Sequence, residues 1–336
     1  MLKKSLLLFS VCAVVISAAT PYNVSTYTYK TVGDVQILLD VSTPPSPAPK
    51  AGYPVFFAIP GGGYVAGGKS DIFEENQLAE VTKRGWAIVA IDYRLLPGVF
   101  LEDVVEDIQD AYAWMRNELP KRTPINPNMV TVFGQSAGGG LAAISGYKFQ
   151  PRPKAIIGFY SGRPNWIDPN TYDPSTPVDL VLVEAVKRMS KPVITEYSLD
   201  LKNNPRLDLY AAIKKNGKFG WMAVTHDPNY PVEEIMKKLR ALSAAENVDE
   251  DYPPTYLAHG LADTVVPSSQ SVQMAKSLEK KKIPYVLDLI PGAGHGFDSD
   301  ESLFEKHVLP AFDFAEKYMK CGEIREASSP MRFLEK

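Results

Sequence analysis

Cysteine is nearly missing from this chain: there are two, Cys12 and Cys321. Cys12 falls in an N-terminal segment expected to be removed, which leaves one thiol and no intramolecular disulfide. A chain of 336 residues manages without such staples, because folding at this size buries roughly 75% of the surface the unfolded chain exposes. That length fits one large domain or two ordinary ones. An excess of charge is missing too. Lys and Arg number 36 against 39 Asp and Glu, for a net charge of −3, which argues against a nucleic-acid partner. The short basic run Lys280–Lys282 reads as a solvated helix end. No repeat occurs at solenoid or propeller periods, and no tract is of low complexity. Histidine is scarce, with four in the chain, so any candidate base comes from a short field.

Long apolar runs are also lacking. The mostly apolar stretch Leu6–Ile16 falls short of the about twenty residues a membrane helix needs. With Lys3 and Lys4 before it and Ser17, Ala18 and Ala19 after it, the stretch reads as a secretory signal peptide over residues 1–19, cleaved after Ala19. The expectation is secretion, with an uncleaved N-terminal membrane anchor as the alternative. A glycosylation sequon, Asn23-Val24-Ser25, lies close to the expected new N-terminus.

Strand-like and helix-like stretches alternate along most of the remaining chain. STYTYKTV and VQILLDV flank Gly33-Asp34 and read as an antiparallel hairpin. Ser42–Lys50 is a proline-rich surface connection. YPVFFAI, WAIVAID, MVTVF, KAIIGFY, PTYLAHG and YVLDLI are apolar runs of the kind buried on both faces of a parallel sheet. Between them, Asp71 and Glu74 offer a capping pair for a helix ending near Gly85. Val104, Val105, Ile108, Ala111, Tyr112 and Met115 fall at helical spacing. Further helices are expected over 269–282 and 303–319. The pattern predicts an α/β fold: a mostly parallel central sheet, helices on both faces, and loops at the strands' carboxyl ends forming one rim. Residues 161–251 interrupt the alternation. This stretch is rich in Pro and aromatics (Trp166, Tyr172, Tyr197, Tyr210, Phe219, Trp221, Tyr230) and reads as an inserted cap. The core then comprises residues 20–160 and 252–320, with a tail over 321–336.

The stretch FGQSAGGGLAA, Phe133 to Ala143, sets one serine among small residues. Gly134-Gln135-Ser136-Ala137-Gly138 is G-x-S-x-G between an expected strand and an expected helix, the context of a nucleophile elbow. A serine hydroxyl needs a base at neutral pH. His226 lies in the cap. His307 falls on the last helix and is expected at the surface. His259 ends a buried strand and is expected to be a hydrogen-bonded structural residue. His295, in PGAGHGFD after a strand, is therefore the candidate base. The acid that orients it is expected to be Asp263 in HGLADTVVP, with Asp168 as runner-up. Asp92 is read as bracing a turn with Arg94. The glycine run Pro60-Gly61-Gly62-Gly63-Tyr64 follows a strand, and the amides of Gly62, Gly63 and Ala137 are the expected oxyanion donors. No G-x-G-x-x-G occurs, so nucleotide binding has weak support.

Taken together, PGGGYVAGG, DYRLLP, GQSAGGG, HGLADTVVP and GAGHGF make the chain resemble the α/β-hydrolase superfamily. Within it, the esterases related to hormone-sensitive lipase and the acetylesterase-like serine hydrolases are the nearer groups. The resemblance runs from about Tyr53 to Phe297 and departs at Pro60, where the family usually carries His before the three glycines. It implies a serine carboxylesterase acting on a small-molecule ester through Ser136, Asp263 and His295, with no metal and no organic cofactor. An amidase or peptidase on the same three residues is the first alternative. A non-catalytic ligand-binding protein on the same scaffold is the second.

Overall fold

The computed structural model describes residues 22–169, 171–194 and 204–320. The expected signal segment, Tyr197, Cys321 and the tail 321–336 lie outside the described residues.

Eight strands form one sheet. β1 (Asn23–Val32) and β2 (Val35–Thr43) make the expected hairpin, with Val32 opposite Val35. β3 (Tyr53–Ile59), β4 (Ala87–Ile91), β5 (Ile125–Gln135), β6 (Ala155–Phe159), β7 (Thr255–Gly260) and β8 (Tyr285–Ile290) come next in chain order. Their spatial order is β1-β2-β4-β3-β5-β6-β7-β8. The hairpin edge is antiparallel, and every pair from β4 across to β8 is parallel.

Strand side chains alternate between the two faces, and both faces are covered. The helices of the first half are α1 (Glu75–Lys83), α2 (Leu101–Asn117) and α3 (Ala137–Lys148). Between β6 and β7 come α4 (Leu180–Met189), α5 (Pro205–Lys215), α6 (Phe219–Val224) and α7 (Val232–Leu242). α8 (Ser269–Lys280), a single turn α9 (Glu301–Leu303) and α10 (Leu309–Lys320) come last among the described residues. Val55, Phe57 and Ile59 of β3 join one core cluster with residues of α2, α3 and α8. Phe56 and Ala58 join the other, with Val81 of α1 and Phe312 and Ala315 of α10. Each fully buried Phe or Ile contributes about 1.5–3 kcal/mol of burial free energy, which is why six such apolar runs specify the sheet. α3 is buried from Ala137 through Gly146, as a helix packed on all sides must be.

Four expectations are corrected. Asp71 does not cap α1: its own N–H bonds the Gly68 carbonyl in a preceding turn, and the N-cap is Glu74, with no side-chain capping bond. Arg94 does not pair with Asp92. It grips Asp107 of α2 through Nε and Nη2, both at 2.8 Å, because the buried carboxylate on that helix faces it. Asp92 instead accepts from the Lys69 N–H at 2.9 Å. The last helix is not continuous over 303–319: a π-helical turn, Phe304–Val308, precedes α10. Pro310 has no N–H to give the preceding turn, so regular α-helix cannot run through it unbroken. Finally, His307 is not on the surface. It is 3% exposed, its Nδ1 lies 2.8 Å from Asp288 Oδ2, and it stands at four-residue spacing with the buried Ala311, Ala315 and Met319.

Candidate active site

Ser136 stands between β5 and α3 with φ 54 and ψ −123, a backbone conformation that L-residues rarely adopt. Its surroundings hold it there. The Ser136 N–H donates to the Phe159 carbonyl at 3.0 Å. The Ser136 carbonyl accepts from Gly139 at 3.0 Å and Gly162 at 2.6 Å. The flanking residues are small for a steric reason. A Cβ on Gly134 would collide with the Gly138 carbonyl, and one on Gly138 would collide with the carbonyl of Ile59 on the next strand. The bend brings helix, strand and turn closer than any side chain permits.

The structure brings His295 and Asp263 to this serine. Ser136 Oγ is 3.0 Å from His295 Nε2, and His295 Nδ1 is 2.8 Å from Asp263 Oδ2. The residues arrive from loops after β5, β7 and β8, on one rim of the parallel sheet. The carboxylate facing Nδ1 places the proton there and leaves Nε2 as acceptor for the serine hydroxyl.

Asp263 is held from four directions. Oδ1 accepts the N–H groups of Val265 at 2.8 Å and Val266 at 2.9 Å. Oδ2 also lies 3.2 Å from Nε2 of His259. Burial alone would raise this carboxyl, but the hydrogen bonds from His259 and His295 and the charge of His295 outweigh it and hold Asp263 well below the usual carboxylate range. His259 is fully buried, with Nε2 also 3.0 Å from the Val266 carbonyl and Nδ1 2.7 Å from Ser271 Oγ. Two acceptors at Nε2 put its proton there, so the Ser271 hydroxyl donates to Nδ1. The expectation of a hydrogen-bonded structural His259 missed this partner. The four-residue separation from Asp263 across a strand end was the only sequence clue.

Gly62 and Gly63 take φ 103 and 66 after β3, and the Gly62 carbonyl accepts from Val65 at 3.1 Å and Ala66 at 3.0 Å. The loop lies against the serine: a Cβ on Gly61 would sit 3.3 Å from Ser136 Cβ. Pro60 is tied from the other side, its carbonyl accepting from the Tyr93 hydroxyl at 3.0 Å. Tyr93 belongs to DYRLLP, so that motif orders this loop. The same stretch, Gly63 to Ser70, also spells G-x-x-x-x-G-K-S. Its geometry is not that of a phosphate loop. Lys69 Nζ lies 3.6 Å from both Asp40 and Asp92, and the next helix, α1, begins only at Glu75.

A second layer backs the imidazole. The Tyr160 ring packs on His295 at 4.5 Å between centroids, and its hydroxyl donates to Asp298 Oδ1 at 2.7 Å. Asp298 Oδ2 accepts from Gln77 at 2.9 Å. Burial pushes the Asp298 carboxyl up and, with the Asp298 charge, the Tyr160 phenol far up. Neither residue stood out in the sequence. The place beside His295 Nδ1 is taken by Asp263 and not by Asp168, which is buried and accepts from Gln273 at 3.4 Å. His226 pairs with Ser190 at 3.2 Å in the stretch between β6 and β7. Among the described residues, no group of three or more His, Cys, Asp or Glu is placed to hold a metal ion, and no helix is long and apolar enough to cross a membrane.

Comparison with known proteins places the chain. The BD-FAE family model matches residues 39–278, a span that holds Ser136 and Asp263 and most of the sheet. The chain belongs to the BD-FAE family. Among solved structures, a truncated carbohydrate esterase from gut microbiota superposes with a TM-score of 0.61 at 18% identity, covering 90% of this chain and 99% of that one. Esterase 2 of Thermogutta terrifontis, phosphoramylated by tabun, superposes with a TM-score of 0.59 at 19% identity, covering 88% and 93%. At these identities the likeness is one of fold, and the fold is that of the α/β-hydrolases. The non-reducing polyketide synthase Preu6 of Preussia isomera is 27% identical over 89% of this chain. The synthase pkbA of Emericella nidulans is 28% identical over the same share. The chain spans only 15% and 14% of those two proteins.

Proposed function

We propose that this protein is a serine-dependent carboxylic ester hydrolase. The observation that carries the reading is the run of two hydrogen bonds from Ser136 Oγ to His295 to Asp263, at 3.0 and 2.8 Å. Ser136 Oγ attacks the ester carbonyl while His295 Nε2 takes its proton. Asp263 holds the imidazole in the needed tautomer and favours its charged form. The amides of Gly62, Gly63 and Ala137 receive the negative charge that develops on the carbonyl oxygen. The imidazolium then passes its proton to the leaving alkoxide. Water, deprotonated by the same imidazole, attacks the acyl-serine; the imidazolium returns that proton to Ser136 Oγ as the acid departs. The esterase fold neighbours support the choice of an ester. The N-terminal pattern Lys3–Ala19 supports secretion of the mature protein.

The test is hydrolysis of short p-nitrophenyl esters by the wild type and by Ser136→Ala, together with fluorophosphonate labelling. The expected result is one label per chain on Ser136 and turnover lowered by about 10³-fold or more in the alanine variant. Undiminished turnover in Ser136→Ala would remove the nucleophile. A folded wild type that neither labels nor turns over would favour a ligand-binding protein on this scaffold.

A further inference from the structure

Three Lys or Arg side chains are buried among the described residues: Arg94, Arg163 and Lys218. Two are satisfied. Arg94 grips Asp107 at 2.8 Å, and Lys218 donates to the carbonyls of Asp173 and Thr176. Arg163, 8% exposed, makes neither a hydrogen bond nor an ion pair with any described residue. Its guanidinium carbon lies 3.8 Å over the Phe219 ring, 5.5 Å from the Tyr210 ring and 5.9 Å from the Trp166 ring. Rings offset part of the cost of burying a cation, but they accept none of the five N–H donors in a hydrogen-bonding plane, and Arg cannot shed its proton.

This cage adjoins the reacting centre. Arg163 directly follows Gly162, whose N–H donates to the Ser136 carbonyl at 2.6 Å. The Tyr210 ring rests on the glycine loop: a Cβ on Gly63 would meet Tyr210 Cε2 at 2.9 Å. Trp166 and Phe219 also flank Tyr64, at 5.2 and 6.1 Å, and the Tyr64 hydroxyl bonds the Gly162 carbonyl at 2.7 Å. Arg163 itself takes a left-handed backbone, φ 58, at this turn. The unpaired fork therefore stands in the wall that joins the serine elbow to the glycine loop. A planar, permanently charged fork with no acceptor among the described residues matches a carboxylate, which takes two parallel N–H bonds.

We propose that Arg163 anchors a carboxylate carried on the non-reacting part of the substrate, so that the enzyme prefers esters bearing an anionic group over their neutral analogues. The proposal rests on the ester-hydrolase reading above and assigns that site its substrate class.

Two matched pairs test it. 4-Acetoxybenzoate against its methyl ester puts the charge on the alcohol side. Mono-p-nitrophenyl succinate against p-nitrophenyl butyrate puts it on the acyl side. The expected result is a wild-type kcat/KM about tenfold or more higher for the anionic member of one pair, carried by KM. That ratio falls to near unity in Arg163→Gln and to an intermediate value in Arg163→Lys. Calorimetric titration of Ser136→Ala with benzoate and with succinate reads the same contact without turnover: one of them binds, and added Arg163→Gln abolishes it. No anionic preference on either pair in the wild type overturns the proposal, as does a preference that survives in Arg163→Gln. If the wild type hydrolyses none of the four esters, the ester-hydrolase reading fails and the titration decides the anion site alone. If Arg163→Gln does not fold, the wild-type ratio and the Ser136→Ala titration decide it.

Discussion

His259 and His295 share one carboxylate oxygen: their Nε2 and Nδ1 atoms lie 3.2 and 2.8 Å from Asp263 Oδ2. One imidazole reaches the serine, and the other is sealed in the protein between Ser271 and the Val266 carbonyl. Under the proposed function, His259 positions the imidazole of His295 through Asp263. Replacing it with Leu removes a donor from the carboxylate without opening a large cavity. The expected result is a fall in kcat of about tenfold with KM changed less. A fall in kcat that disappears once rates are normalised to the fraction of chains labelled by a fluorophosphonate would mean that the effect is general unfolding.

The same contact sets a pH dependence. Asp263 is held below its unfolded value, near 4 in unfolded chains. The ionised carboxylate therefore stabilises the fold above about pH 4, and this contribution is lost as pH falls from there toward the depressed folded value. In His259→Leu the carboxyl is depressed less, so the decline in stability between pH 7 and pH 3 is shallower than in the wild type. Urea unfolding at several pH values in that window measures it. Parallel curves for the two proteins would contradict the role given to His259.

Ser136 occupies a left-handed backbone position, φ 54. Glycine adopts such a conformation without the Cβ penalty, so Ser136→Gly relieves strain that Ser136→Ala retains. The expected gain is about 1 kcal/mol, or about 2 °C in Tm for a chain of this size. Neither variant carries the hydroxyl, so the comparison isolates the backbone. A Ser136→Gly variant no more stable than Ser136→Ala would mean that the elbow is not strained.

Asp107 is fully buried and takes Arg94 at 2.8 Å and Lys30 at 2.9 Å. Removing it takes from the buried Arg94 both of its 2.8 Å side-chain bonds, while Lys30 keeps Asp110 at 2.7 Å. Asp107→Leu is expected to cost about 3–5 kcal/mol, and Arg94→Met added to it to recover part of that loss. Denaturant midpoints of the wild type, both single variants and the double variant close the cycle. A double variant less stable than Asp107→Leu alone would show that the arginine does not depend on this carboxylate.

Much of the molecule was legible along the chain. Six apolar runs specified the parallel sheet because strands buried on both faces leave no polar alternative. Gly134 and Gly138 marked the elbow because close backbone contact excludes every Cβ. His295 emerged because only four histidines exist and one of them lies in a loop at a strand's carboxyl end. Side-chain direction was not legible. His307 lies on a charged-looking stretch, yet faces Asp288 of β8. Arg94 lies two residues from Asp92 but turns to a helix thirteen positions on.

The sequence by itself determined the order of strands and helices, the site of the bend at Ser136 and the residue types available for proton transfer, because periodicity and steric size are local properties. Only the tertiary structure decided which carboxylate serves which cation. It seated a second imidazole on Asp263 and set Arg163 among aromatic rings with no hydrogen-bond acceptor among the described residues. Charge pairing depends on distances across the sheet, and residues far apart in the chain become neighbours only when their strands do.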